Sequence, residues 1–146
     1  MTLSAAQLLQ ASRISLDIAA TDKNEAILEV AGIVRRDPDV LDFGCFCQEL
    51  LAREELRSTC AGYGVAFPHA RTDAVREIVI AAGRCATGVL FGKEKVQFIF
   101  VIGTPREKVS DYLVAVGTLA RLLRSESIRA ALTKATSPEE FMRALK

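Results

Sequence analysis

The sequence predicts a single α/β domain whose sheet is covered by helices on both faces. Three observations carry this reading. Short β-branched runs such as "EIVIAAG" and "VQFIFVIG" alternate along the chain with segments of helical period. Some of those runs are almost wholly apolar, as strands buried on both sides are. The length of 146 residues, half of them hydrophobic, suits one domain with a sizeable core. Neither a repeat nor a Pro/Gly/Ser-rich linker divides residues 1–146.

In chain order, "RISLDI" alternates Ile14, Leu16 and Ile18 and predicts a half-buried strand. "TDKNEAILEVAGIVRRD" places Ile27, Val30, Ala31 and Val34 on one helical face. Its start, Asp22 with Glu25 three residues later, is an Asp-headed capping box. After Asp37-Pro38, the spacing of Phe43, Phe46, Cys47, Leu50 and Leu51 predicts a second helix to about Glu55, with Arg53 near its end. "VAF", "EIVIAAG" and "VQFIFVIG" read as strands, the last two separated by a turn at "ATGVLFGKEK". Beyond Thr104-Pro105, a long helix is marked by Tyr112, Leu113, Val116, Leu119, Ala120 and Leu123. "SESIRAALTKA" is a further short helix. "SPEEFMRALK" closes the chain with Ser137 as N-cap, Pro138 at the first helical position and Glu140 at the third.

The formal charge of +1 gives no broad basic field, which argues against nucleic acid or an anionic membrane surface as partner. The start "MTLSAAQLLQASRISLDIAA" lacks the pattern of a secretory signal, and no apolar run approaches a membrane-spanning length. Cys45, Cys47, Cys60 and Cys85 form no C-x-x-C pair, so reduced, mostly buried thiols in a cytoplasmic protein are expected.

Several chemistries are excluded by their missing partners. Gly62-x-Gly64 lacks the third glycine of a dinucleotide loop and precedes a strand, so turn glycines are expected. No H-x-E with P-C-x-x-C supports a zinc deaminase, and no G-x-S-x-G elbow supports a serine triad. Cys60 has no nucleophile signature around it. A chain with one histidine cannot build a histidine metal cluster.

That histidine, His69, directly follows Pro68 at the end of an apolar run. It is either an ordinary hydrogen-bonded residue or a group that works with hydroxyls, arginines and backbone amides. Pro68 fixes its own φ and holds Phe67 extended, so the imidazole leaves the strand end in a defined direction. Imidazole is nucleophilic near neutral pH and forms covalent intermediates. An incoming phosphoryl group would need positive charge and N–H or O–H donors. Arg53, Thr59, Arg71 and the amides around Gly62 and Gly64 have the right chemistry.

"AREELRSTCAGYGVAFPHAR" resembles the phosphorylation-site segment of enzyme IIA of the fructose/mannitol class of the bacterial phosphotransferase system. "LDIAATDKNEAILEVAGIV", "VQFIFVIGTP" and "YLVAVGTLARLLRSESIRAAL" extend the resemblance over nearly the whole chain. It implies a mixed sheet with helices on both sides and no cofactor. It makes His69 the acceptor of a phosphoryl group from the phosphocarrier protein HPr, passed on to a cysteine of a IIB component. It matches Arg53 to the arginine that neutralises the phosphoryl group, and it places Thr59 in the active-site segment.

Two departures stand out. Cys60 occupies a position where the family has glycine. The family's second active-site histidine, at the start of the helix after "TP", is replaced by Tyr112, or by Val109 in a shorter register. A tyrosine hydroxyl can donate to a phosphoryl oxygen and valine cannot; Tyr112 equally suits a core position with a polar tip. A free-standing IIA-like chain fits either sugar uptake through separate IIB and membrane components, or regulation by binding partner proteins according to its phosphorylation state. A relic that cannot be phosphorylated is disfavoured by His69 and Arg53.

Overall fold

The computed structural model describes residues 9–145, without the side chains of Val109 and Asp111. The first eight residues, part of the stretch read for a signal above, lie outside it. A 3-10 turn, Ala11–Arg13, leads into β1 (Ile14–Ser15), followed by helices α1 (Lys23–Gly32) and α2 (Phe43–Leu56). Three short strands come next, β2 (Cys60–Gly62), β3 (Val65–Ala66) and β4 (His69–Arg71). The long strands β5 (Val79–Phe91) and β6 (Glu94–Thr104) precede α3 (Val109–Leu122), α4 (Glu126–Lys134) and α5 (Pro138–Ala144).

The six strands form one mixed sheet in the order β1-β5-β6-β3-β2, with β4 also on β6. β5 and β6 are an antiparallel hairpin at its centre, β1 runs parallel to β5, and β3 and β4 run parallel to β6. β3 and β4 lie along the same flank of β6 in one register, interrupted only at Phe67-Pro68. Pro68 has no N–H for the ladder, but its carbonyl accepts from Ile102 N–H at 2.9 Å.

Alternation along β6 divides the core. Phe98, Phe100 and Ile102 face α3, α4 and α5, packing with Phe67, Tyr112, Leu119 and Phe141. Ile99 and Val101 face α1 and α2, packing with Ile27, Val30, Phe46 and Leu50. Each such side chain stabilises the fold by about 1.5–3 kcal/mol when removed fully from water. Helix starts follow their local signals. Asp22 accepts from Asn24 N–H at 2.7 Å and Glu25 N–H at 3.4 Å, and Ser137 from Glu140 N–H at 3.1 Å.

Three local expectations change. "ATGVLFGKEK" is mostly strand: Val89 and Phe91 are buried against the α1 side, and the turn is only Gly92-Lys93, with Gly92 at φ +66°. A two-residue turn with a left-handed first glycine matches the twist of a β-hairpin. "RISLDI" pairs only at Ile14 and Ser15, although Leu16 remains buried. Of the four free thiols only Cys85 is buried; Cys45, Cys47 and Cys60 are half-buried, being on helix flanks or an edge strand.

Candidate active site

His69 opens β4 at the register position opposite Ile102. Its Nδ1 lies 2.9 Å from the Phe67 carbonyl oxygen. A carbonyl only accepts, so Nδ1 carries the proton and the lone pair belongs to Nε2. The half-buried ring has its pKa lowered from the usual 6.5, chiefly because burial disfavours the cation. The Phe67 carbonyl opposes this shift, the Arg53 charge adds to it, and Glu54 opposes it. A neutral ring with Nε2 free is the nucleophilic form.

Arg53 occupies the last turn of α2, where its guanidinium donates to the Arg57 carbonyl at 2.7 Å. It therefore caps the helix end, as a basic residue there commonly does. It also lines a cavity of about 700 Å³ together with Leu56, His69, Arg71 and Arg106. Arg71 follows His69 by two strand positions, and its exposed side chain brings a further positive charge to the rim. Arg106 reaches from the loop before α3 to Glu49 on α2, at 3.9 Å, and to Asp73, at 3.6 Å.

Tyr112, in the first turn of α3, faces the imidazole with ring centroids 5.2 Å apart and planes at 42°. It is 8% exposed and belongs to the core cluster beneath α3. Burial pushes its phenol above the ordinary 10, with the Arg53 charge opposing. Core residue and site neighbour are thus the same side chain. The other register, Val109, falls on a side chain outside those described.

Thr59 stands differently from a simple donor to the site. Its hydroxyl donates to Glu54 Oε1 at 2.5 Å and its N–H to Glu54 Oε2 at 3.0 Å, so its one hydroxyl proton is already committed. The amides around Gly62 and Gly64 do not converge on His69. Val65 is level with Phe98 and His69 with Ile102, four strand residues or roughly 13 Å apart. The residue that sequence reasoning passed over is Glu54, 3% exposed. The signal was present: Glu54 continues the i+4 stripe of Phe46 and Leu50, where a carboxylate needs buried partners.

One free imidazole nitrogen beside a guanidinium suits a protein that carries an anionic group covalently. The sequence pattern of the family described as phosphoenolpyruvate-dependent sugar phosphotransferase system, EIIA 2, matches residues 7–146. The chain belongs to that phosphocarrier family, as the resemblance of its P-H segment implies. It is 31% identical over 129 residues to the fructose-specific EIIA component of Haloferax volcanii, covering 86% of this chain and 84% of that protein. To the fructose-specific EIIABC component of Bacillus subtilis it is 30% identical over 139 residues, 93% of this chain. The chain spans only 22% of that longer relative. Among solved structures, the nitrogen regulatory protein IIA-Ntr of Neisseria meningitidis superposes with a TM-score of 0.87 at 29% identity, covering 97% of this chain and 98% of that one. The mannitol enzyme IIA of Escherichia coli, solved in complex with phosphorylated mannitol enzyme IIB, gives 0.81 at 25% identity, covering 94% and 96%.

Proposed function

We propose that residues 1–146 form one cytoplasmic IIA-type domain that accepts a phosphoryl group on His69 from HPr and passes it to a cysteine of a IIB component in sugar uptake. The observation that carries this reading is the Nδ1–H···O=C bond to Phe67, which leaves Nε2 as the reacting atom at the arginine-lined cavity. In the loading step the Nε2 lone pair attacks phosphorus while the P–N bond of the donor phosphohistidine breaks. The released electron pair stays on the donor nitrogen, and the Nδ1 proton of His69 does not move. As the ring becomes cationic its bond to the Phe67 carbonyl strengthens, and Arg53 balances the charge on the phosphoryl oxygens. Arg71 and the Tyr112 hydroxyl are further candidates to support those oxygens.

The likeness to the Neisseria meningitidis regulatory protein, with its TM-score of 0.87, favours a second reading: loaded and unloaded His69 would control binding to partner proteins. Both readings share the loading step and differ in the acceptor. Incubation with phosphoenolpyruvate, enzyme I and HPr, followed by intact-mass measurement, tests the shared step. One phosphoryl group should be gained, and His69→Ala should gain none while remaining folded. Equal, acid-labile labelling of the His69→Ala protein would sink the assignment. Adding a IIB component then separates transport from regulation by whether the label leaves.

A further inference from the structure

We infer that Glu54 is a positioning residue for His69, acting through Thr59 and the Phe67 backbone to select the tautomer that leaves Nε2 reactive. This role presupposes the loading of His69 proposed above. Glu54 projects from the inward stripe of α2 and is almost fully buried, where a carboxylate is tolerated only with its oxygens satisfied. Both oxygens are occupied by one residue: Oε1 accepts the Thr59 hydroxyl at 2.5 Å, Oε2 the Thr59 N–H at 3.0 Å. Lys23 Nζ stands 3.8 Å from Oε2 and balances the charge. Thr59 is therefore gripped by backbone and side chain together.

The grip continues to the imidazole. The Thr59 carbonyl accepts from Phe67 N–H at 3.0 Å, and the Phe67 carbonyl accepts from His69 Nδ1–H at 2.9 Å. Next to this link, Cys60 pairs with Ala66, so β2 and β3 hold the Thr59–Phe67 bond in a ladder. A neutral imidazole free in water exchanges its proton between both nitrogens, whereas a fixed acceptor at Nδ1 selects one form. Three hydrogen-bonded contacts thus run from a buried charge to the choice of nucleophilic nitrogen. Two of them meet at Phe67, one at its N–H and one at its carbonyl. That carbonyl belongs to the peptide bond with Pro68, whose nitrogen has no N–H to hold the chain there in another way.

The test compares Glu54→Ala, Thr59→Val and Thr59→Ser with the wild type. Imidazole nitrogen NMR of the unphosphorylated protein reads the tautomer directly, because the chain has one histidine. Loading from phosphorylated HPr reads the rate. Wild type and Thr59→Ser, which keeps the hydroxyl, should show the Nδ1–H form alone. Glu54→Ala and Thr59→Val should show a mixture of tautomers, with kcat for loading lowered about tenfold and KM for HPr within about twofold, the scale of one lost hydrogen bond. A pure Nδ1–H tautomer in folded Glu54→Ala and Thr59→Val overturns the role, even if loading slows. So does undiminished loading from a mixed tautomer. If Glu54→Ala does not fold, Thr59→Val decides. Should the wild type take no phosphoryl group, the functional reading falls, while the spectra still decide whether Glu54 sets the tautomer.

Discussion

Tyr112 and His69 stand ring to ring, their centroids 5.2 Å apart across the gap between α3 and β4. The contact puts a phenol against the imidazole. Tyr112→Phe keeps the ring and its packing but removes the hydroxyl. If that hydroxyl donates to the phosphoryl group, its loss costs about 1.5–3 kcal/mol in the transition state, or roughly tenfold to a hundredfold in rate. Tyr112→His should keep or improve transfer. Stopped-flow loading from HPr measures both, and a Tyr112→Phe protein as fast as wild type reduces Tyr112 to packing.

Arg53 should matter through the shape of its charge as well as its sign. The guanidinium reaches the Arg57 carbonyl with one N–H and keeps other donors for a dianionic group. Loading should be impaired in Arg53→Lys and impaired further in Arg53→Ala. A helix-end charge alone would contribute only about 0.3–1 kcal/mol of stability and leave transfer untouched. Parallel melts and transfer rates separate the two roles.

The lowered pKa of His69 fixes the sign of a pH response. Because burial, helped by Arg53, holds the imidazole below its usual 6.5, loading should persist as pH falls through that value and decline only at lower pH. Arg53→Gln removes one lowering influence and should move the acidic limb upward; Glu54→Gln removes a raising one and should move it down. Titrating the imidazole by NMR gives both shifts, and equal midpoints in the two variants contradict the electrostatic picture. For folding, the unfolded chain binds the extra proton first. The His69 contribution to stability is therefore present above about 6.5 and lost as pH falls toward the folded-state value.

Away from the site, Arg84 ties the sheet to two other elements. Its Nη1 donates to the carbonyls of Leu132, Thr133 and Ala135 at 2.9, 3.1 and 2.7 Å, closing the end of α4, and its Nε donates to the Leu16 carbonyl at 3.2 Å. Arg84→Ala should cost about 1.5–3 kcal/mol and lower Tm by roughly 3–12 °C without altering the loading rate. Arg84→Lys should recover part of this, since an ammonium cannot span the same carbonyls as a planar fork. Thermal circular dichroism checks the order.

Features written in neighbouring residues were legible before the structure. Asp22 before α1 and Ser137 before α5 bond to amides within three residues, so spacing alone reveals them. The Gly88 region misled because a glycine at φ +82° inside a bulged strand looks, in sequence, like a glycine in a turn. The site was legible only in part. Its histidine carries a local P-H signature, and counting from the α3 pattern placed Tyr112, whose ring lies against His69. The inward position of Glu54 follows from its i+4 spacing to Phe46 and Leu50, but the commitment of the Thr59 hydroxyl to it depends on how the chain returns after α2, and no local spacing encodes that.

The sheet's connectivity also has a consequence for synthesis. The elements at its centre, β5 and β6, leave the ribosome after β1, α1, α2 and β4, all of which pack on them. Between the appearance of Ile14 and that of Thr104 about 90 residues must be added, roughly 5–20 s at ordinary elongation rates. From their own appearance until its end, the apolar stripe of α2 and the unpaired strand bearing His69 have no sheet to join. Once Gly92-Lys93 turns and β6 follows, the hairpin zips in microseconds and offers both flanks at once. The nascent chain is thus most exposed to misassociation just before the hairpin turn is made.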